Sequence, residues 1–192
     1  MRTLIPTSSA PDKALDIAIW RDWSGSAGRA ISLRITLALI LVNLGLASSG
    51  WADYEAGVEA YQRRDYTIAL QEWLPLAELG HAEAQYKLGL LYHFKKGVPQ
   101  DFVMARRWYE KAAAQGHGGA QSNLGELYKF GHGVLRDFVV AYMWYQIASM
   151  HSTGDPWRES AAENRDELAG RMSSAQIAES QMRAREWRAK VP

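Results

Sequence analysis

Residues 81–116 read HAEAQYKLGLLYHFKKGVPQDFVMARRWYEKAAAQG, and residues 117–152 read HGGAQSNLGELYKFGHGVLRDFVVAYMWYQIASMHS. The two stretches align without a gap and are identical at 17 of 36 positions. Chance identity would be a small fraction of that number, so the chain contains an internal duplication. A repeat of this length predicts an array of small units, each of which buries its apolar face against its neighbours.

Each copy of the repeat is predicted to form two helices, because small, apolar and aromatic residues recur at helical spacing in both of its halves. The predicted fold class is therefore all-α, an α-solenoid of stacked helix–turn–helix units with helical caps. The repeated positions expected to form its core and turns are Ala84, Leu88, Gly89, Tyr92, Gly97, Asp101, Ala105, Trp108, Tyr109, Ala112, Ala120, Leu124, Gly125, Tyr128, Gly133, Asp137, Ala141, Trp144, Tyr145 and Ala148.

The turn between the two helices has its own pattern. Gly97 and Gly133 allow the positive φ of a helix C-terminal turn. Asp101 and Asp137 stand where a helix N-cap is needed, with a carboxylate for the free N–H groups.

Glycine also recurs inside the first helix of each copy, at Gly89 and Gly125. Glycine costs a helix interior about 1 kcal/mol relative to alanine. Its recurrence predicts a close approach of the partner helix, with a large tryptophan filling the adjacent space.

The flanking segments are less regular, as expected for the ends of a solenoid. Residues 53–80 are predicted to form a degenerate N-terminal repeat, and residues 153–192 to form capping helices. Asp155 and Pro156 are expected to open the first of these helices, and Ser173 or Ser174 the second. Four residues of the last helix are expected to cover the end of the stack: Ile177, Gln181, Ala184 and Trp187.

Residues 1–52 are interpreted as a leader. The uncharged run ITLALILVNLGL at 35–46 follows Arg29 and Arg34 and precedes small residues, a secretory signal pattern with a cut after Ala52. The run is shorter than the roughly 20 residues that span a membrane. The expected location is periplasmic or secreted, and the alternative is an uncleaved membrane anchor.

Composition excludes several classes of function. The net charge is +1, and loss of the leader would make it −1, so no basic field exists to hold nucleic acid. The chain has no cysteine, which excludes disulfides, thiolate metal sites and cysteine nucleophiles. No Walker loop, nucleophile elbow or H-E-x-x-H pattern is present. We therefore expect no catalytic residue, cofactor or metal, although an enzyme acting on envelope polymers remains an alternative.

The histidines fit structural roles. His81 and His117 are equivalent and lie in the turns between units, at least one repeat apart, which favours a structural role over a shared metal. His93 lies near a helix end, where partial positive charge would suit the helix dipole. A basic C-terminal tail is expected to belong to an ordinary capping helix, with anionic lipid or polymer as an alternative contact: Arg183, Arg185, Arg188 and Lys190.

The stretch AQYKLGLLYHFKKGVPQDFVMARRWYEKAAAQG and its second copy resemble the Sel-1-like repeat family, relatives of the tetratricopeptide repeats. The shared pattern is A-x-x-x-L-G-x-x-Y, a Gly-Val loop, Asp, A-x-x-W-Y and A-A-x-x-G. Lys95-Lys96 departs from it at the start of the first loop. The resemblance implies an adaptor or scaffold for protein complexes, often exported in bacteria, whose first helices line a concave face.

On those first helices, some positions differ between the two copies. A core position would keep its residue type, so this strip is expected to face solvent or a partner. An extended peptide or a partner helix would suit such a groove, and the alternative is a solvated face. The candidate partner-binding residues are Tyr86, Lys87, Leu90, His93, Ser122, Asn123, Glu126 and Lys129. The expected partner is another protein or peptide, with membrane contact only through an uncleaved leader.

Overall fold

The computed structural model describes residues 54–151 and 155–190, and in these residues it is all-helical, with eight helices and no strand. The predicted leader lies outside the described residues. The helices are α1 (54–62), α2 (Tyr66–Glu78), α3 (Ala82–His93), α4 (Phe102–Ala114), α5 (Gly118–Phe130), α6 (Phe138–Ser149), α7 (Arg158–Ala169) and α8 (Ser174–Lys190).

Antiparallel helical hairpins stack side by side and build the predicted α-solenoid. Helices α3 and α4 form the hairpin of the first copy, and α5 and α6 form that of the second. Each hairpin packs on the next through its second helix, while α7 and α8 both pack on α6. Small residues allow this close stacking, since the repeated alanines of all four helices are fully buried. Tyr92 and Tyr128 lie half-buried at the edges of the core.

The repeated glycines are where the two helices of a hairpin meet most closely. A Cβ on Gly125 would lie 2.7 Å from Cε1 of Tyr145, and one on Gly89 would overlap the ring of Tyr109. The expected close approach is confirmed, but the residue that fills the space is a tyrosine. The two repeat tryptophans are buried elsewhere, and Trp144 packs edge-on against Trp187 at 5.1 Å.

The degenerate first hairpin uses the same contact with a different ring. Trp73 lies against Gly57, where a Cβ would overlap the indole. Trp73 stands 36 residues before Tyr109, so the tryptophan occupies the tyrosine position of the later repeats. Its indole Nε1 donates to the carbonyl of Tyr54 at 3.2 Å.

The predicted turn chemistry is confirmed. Oδ1 of Asp101 accepts from the N–H groups of Val103 and Met104, both at 2.9 Å, and Asp137 caps α6 in the same way. Gly97 and Gly133 have φ of +70° and +67°. A Cβ on either glycine would press within 2.9 Å of the first residue of the preceding second helix, so the turns of successive hairpins stack on one another.

The C-terminal caps differ in detail from the sequence prediction. Asp155 was expected to cap a helix, but its Oδ1 accepts from Trp157 N–H at 2.8 Å in a separate turn, and α7 begins at Arg158. Ser173 does begin the last helix, because its hydroxyl accepts from Gln176 N–H while Gln176 Oε1 accepts from Ser173 N–H, a capping box.

Three of the four residues expected to cover the stack pack against it. Ala184 is buried and Trp187 packs beside it, while Ile177 packs against the α6–α7 core. Gln181 is exposed, which corrects the expectation for that residue. In residues 54–151 and 155–190, none of the helices has the length and apolar character needed to cross a membrane.

Candidate partner-binding face

The eight candidate residues divide evenly in the structure. Four are buried, which contradicts the expectation that the whole strip faces solvent or a partner: Tyr86, His93, Ser122 and Lys129. Four stay partly accessible on the neighbouring helices α3 and α5: Lys87, Leu90, Asn123 and Glu126. We call these last four the α3–α5 face. Three of the buried four meet different neighbours: Tyr86, His93 and Lys129.

Tyr86 is buried by residues that follow it in the chain. Its ring stacks on His117 at a centroid distance of 4.3 Å and meets Trp157 edge-on at 5.7 Å. Burial raises the pKa of Tyr86 well above its usual range. The equivalent Ser122 is also buried.

His93 is buried between α3 and α4. Its Nδ1 lies 3.2 Å from the hydroxyl of Tyr109, and its ring stacks on Phe94 at 4.3 Å. Burial lowers the pKa of His93 to about 4. The side chain is therefore neutral near pH 7, which corrects the expectation of a partial positive charge at the helix end.

Lys129, the equivalent of His93, joins the second copy to the C-terminal cap. Its Nζ donates to Glu167 Oε2 at 2.6 Å and lies 3.4 Å from Asn164 Oδ1, both on α7. The ammonium lowers the pKa of the exposed Glu167 carboxyl. A buried lysine needs such partners because an unpaired buried charge is costly.

The two inter-repeat histidines are N-caps. Nδ1 of His81 accepts from Ala84 N–H at 3.1 Å, and Nδ1 of His117 accepts from Ala120 N–H at 3.2 Å. Nε2 of His117 lies 2.8 Å from Glu83 Oε2. This hydrogen bond lowers the pKa of Glu83 to about 2. The predicted structural role of both histidines is confirmed.

The C-terminal segment covers one end of the α3–α5 face. A Cβ on Gly119 would lie 2.8 Å from the indole of Trp157, and one on Gly118 would lie 2.9 Å from Oδ2 of Asp155. Ala82 and Glu83 stand at these positions in the first copy. Sequence reasoning missed this contact, although the paired glycines in place of Ala-Glu were its signal.

The accessible residues carry mixed chemistry. Lys87 pairs with Glu83 at 3.2 Å. Asn123 opposes the burial that raises the pKa values of Tyr86 and Tyr109. Burial raises the pKa of Glu126, and Leu90 offers an apolar contact between the polar groups. Such a surface suits a polypeptide, with its alternating polar and apolar groups, and within the described residues no cluster of His, Asp and Glu is arranged to hold a metal.

Comparisons with known proteins agree with this architecture. The Sel1 repeat family model matches residues 82–117 and 119–152. A solved structure of a protective antigen present in uropathogenic Escherichia coli strains, which displays an SLR fold, is similar at 28% identity and a TM-score of 0.68. The similarity covers 74% of this chain and 30% of the antigen.

A second solved structure, a Sel1 repeat protein from Oxalobacter formigenes, is similar at 27% identity and a TM-score of 0.50. The similarity covers 70% of this chain and 62% of the Oxalobacter formigenes protein. This chain thus spans less than two thirds of the length of either structure. No curated protein sequence matches the chain.

Proposed function

Because residues 82–117 and 119–152 are Sel1 repeats, which generally mediate contacts between proteins, we propose that this chain is a binding module and not an enzyme. It holds another protein or peptide on the α3–α5 face. We further propose that it works as an adaptor or regulator in the bacterial cell envelope, after export directed by the leader.

The observation that carries the binding proposal is the seating of Trp157. This side chain belongs to a segment outside the repeats, yet its ring packs on Tyr86 and on the backbone of Gly119. This contact within the chain supports the proposal, because an aromatic side chain from outside the repeats packs on this side of the solenoid. The remaining accessible positions continue from that contact along α3 and α5.

The accessible residues of the α3–α5 face indicate which kind of partner segment would bind there. Leu90 gives a partly accessible apolar position, while Lys87 on the same helix and Glu126 on α5 carry opposite charges. A partner segment with one apolar side chain between polar groups complements this arrangement, as in helix-in-groove or extended-peptide recognition. Charges at the rim of such a contact act more on specificity than on affinity.

Site-specific photo-crosslinking in cells tests the proposed face. A photoreactive amino acid replaces Leu90 in one strain and the exposed Arg107 of α4 in a control strain. We expect a discrete crosslinked product from position 90 that Lys87→Glu together with Glu126→Lys abolishes. Equal products from positions 90 and 107, or a product at position 90 that survives the double substitution, would contradict binding on this face.

Export is tested separately on the same strains. N-terminal sequencing of the periplasmic protein is expected to give a start at or near Asp53. An intact leader on protein that resists carbonate extraction from membranes would instead support the anchored alternative. Protein with its full leader in the cytoplasmic fraction would overturn the localisation.

A further inference from the structure

The turns inside the three hairpins and the connection between α7 and α8 share one edge of the solenoid. They comprise residues 63–65, 94–101, 131–137 and 170–173, and we call them the hairpin-turn edge. Gly97 packs on Tyr66 and Gly133 packs on Phe102, which places each turn directly over the second helix of the preceding hairpin. Residues 79–81, 115–117, 150–151 and 155–157 belong to the connections between hairpins and lie at the opposite ends of the helices.

A basic or imidazole side chain covers an aromatic ring at every step along the hairpin-turn edge. Nζ of Lys96 lies 5.5 Å from the centroid of Tyr66, and the equivalent His132 stacks on Phe102 at 4.6 Å. The guanidinium of Arg171 lies 4.9 Å from the centroid of Phe138. These contacts join each turn to the first residue of the second helix of the preceding hairpin.

Cations outnumber outward-facing carboxylates on the hairpin-turn edge. The hairpin-turn edge carries six permanent cations: Arg63, Arg64, Lys95, Lys96, Arg136 and Arg171. Its carboxylates are Asp65, Asp101 and Asp137, of which the last two face inward to cap helices. The other edge carries basic side chains as well, since Arg188 near the end of α8 lies 3.2 Å from Sδ of Met150. The near-neutral net charge of the chain nevertheless conceals an excess of cations on the hairpin-turn edge.

Large apolar side chains stand among these cations. Leu135, at the tip of its turn, is 92% exposed, and the equivalent residues Phe94 and Phe130 are 52% and 56% exposed. Lys95 and Arg136 are exposed beside them. Clusters of exposed apolar residues on a soluble fold mark interaction surfaces.

We propose that the hairpin-turn edge rests on a bilayer surface that contains anionic lipids. Lipid head groups complement the cations, and the acyl region just below them accepts Leu135 and the two phenylalanines. A ligand for this edge needs negative charge and an apolar layer that extends along several consecutive turns. An anionic bilayer has both, and its surface is large enough to contact all of the turns. This binding is independent of the α3–α5 face and needs no protein partner.

The absence of cysteine permits a position-specific test on the full chain. The substitution Leu135→Cys provides a single thiol for an NBD fluorophore, and Leu79→Cys, at an 86% exposed leucine of the opposite edge, provides the matched control. The probe is a vesicle of equal parts phosphatidylglycerol and phosphatidylcholine. We expect NBD emission to shift to shorter wavelength at position 135 and to stay unchanged at position 79, with no shift on phosphatidylcholine alone.

Removing two basic side chains from the hairpin-turn edge tests the same surface in a second way, because it changes the charge and leaves the label in place. Each basic side chain near an anionic surface is worth about a fivefold change in partition. Lys95→Ser with Arg136→Ser in the labelled protein should therefore raise the half-saturating lipid concentration about 25-fold. Equal shifts at both label positions, or none at 135, would overturn the proposal. The same shift produced by poly-glutamate without vesicles would also overturn it, in favour of an acidic protein partner.

Discussion

Lys95 and Gly131 stand at the same position of consecutive repeats, and both adopt the left-handed backbone conformation, with φ of +56° and +74°. In both copies this residue follows the last turn of the first helix and directs the chain into the hairpin turn. A side chain makes this conformation costly by roughly 1–2 kcal/mol. The first copy therefore carries backbone strain that the second copy avoids.

Substituting Lys95→Gly is expected to stabilise the protein by about 0.5–1 kcal/mol, because relief of the left-handed strain exceeds the entropy that glycine adds to the unfolded chain. Urea unfolding measures the change. The reciprocal Gly131→Lys should destabilise by a similar or larger amount. Stability changes of the same sign in both variants would contradict the conclusion that Lys95 is strained by its left-handed conformation.

The glycine–tyrosine contacts predict that alanine, although a better helix former than glycine, lowers stability at these positions. Alanine at position 125 gains about 1 kcal/mol of helix propensity, but its Cβ would press on the Tyr145 ring at 2.7 Å, and overpacking typically costs 1–3 kcal/mol. We expect Gly125→Ala to lower the free energy of unfolding. Gly170→Ala is the control, since its nearest atom would be 3.5 Å away, and it should be neutral or slightly stabilising.

The three equivalent aspartates at the starts of α2, α4 and α6 should not behave alike. Asp101 and Asp137 each accept two backbone N–H groups, whereas Asp65 makes no capping hydrogen bond. Replacement by alanine should cost about 1 kcal/mol at position 101 or 137. At position 65 the thermal midpoint should hardly change, because only an exposed ion pair with Arg63 is lost. A loss at position 65 as large as at 101 would refute the distinction.

His93 predicts a loss of stability in mild acid. Its folded pKa of about 4 lies below the ordinary value of 6.5, so the native state disfavours the proton. Its contribution is complete above pH 6.5 and is lost as the pH falls toward 4, by up to about 3 kcal/mol. His93→Gln keeps a polar partner for Tyr109 and should flatten the stability profile in that window. Parallel profiles for the two proteins would exclude His93 as the cause.

Sequence periodicity predicted the hairpins because the repeat fixes which residues face inward. It assigned the space beside Gly89 to a tryptophan because size alone was considered, whereas the ring that lies over the glycine belongs to Tyr109. The reason is angular: neighbouring residues on a helix point about 100° apart, and a repeat pattern does not show which of Trp108 and Tyr109 faces the glycine.

The candidate face was predicted less well for a different reason. Variation between copies at Tyr86 and Lys129 was interpreted as exposure, but each is buried by a residue far along the chain, Trp157 or Glu167. Those contacts come from the irregular C-terminal segment, which has no counterpart in the repeat. A comparison of two copies therefore cannot distinguish a solvated position from one that meets a unique neighbour.

The glycine pair at the start of α5 limits how such a chain can grow. Only a unit with Gly118 and Gly119 leaves room for Asp155 and Trp157, and the preceding unit has Ala82 and Glu83 instead. The C-terminal cap therefore fits against the second unit and would clash with the first. A copy of the first unit placed directly before the cap would bring the side chains of Ala82 and Glu83 against Asp155 and Trp157, so an added unit fits better upstream of the second copy.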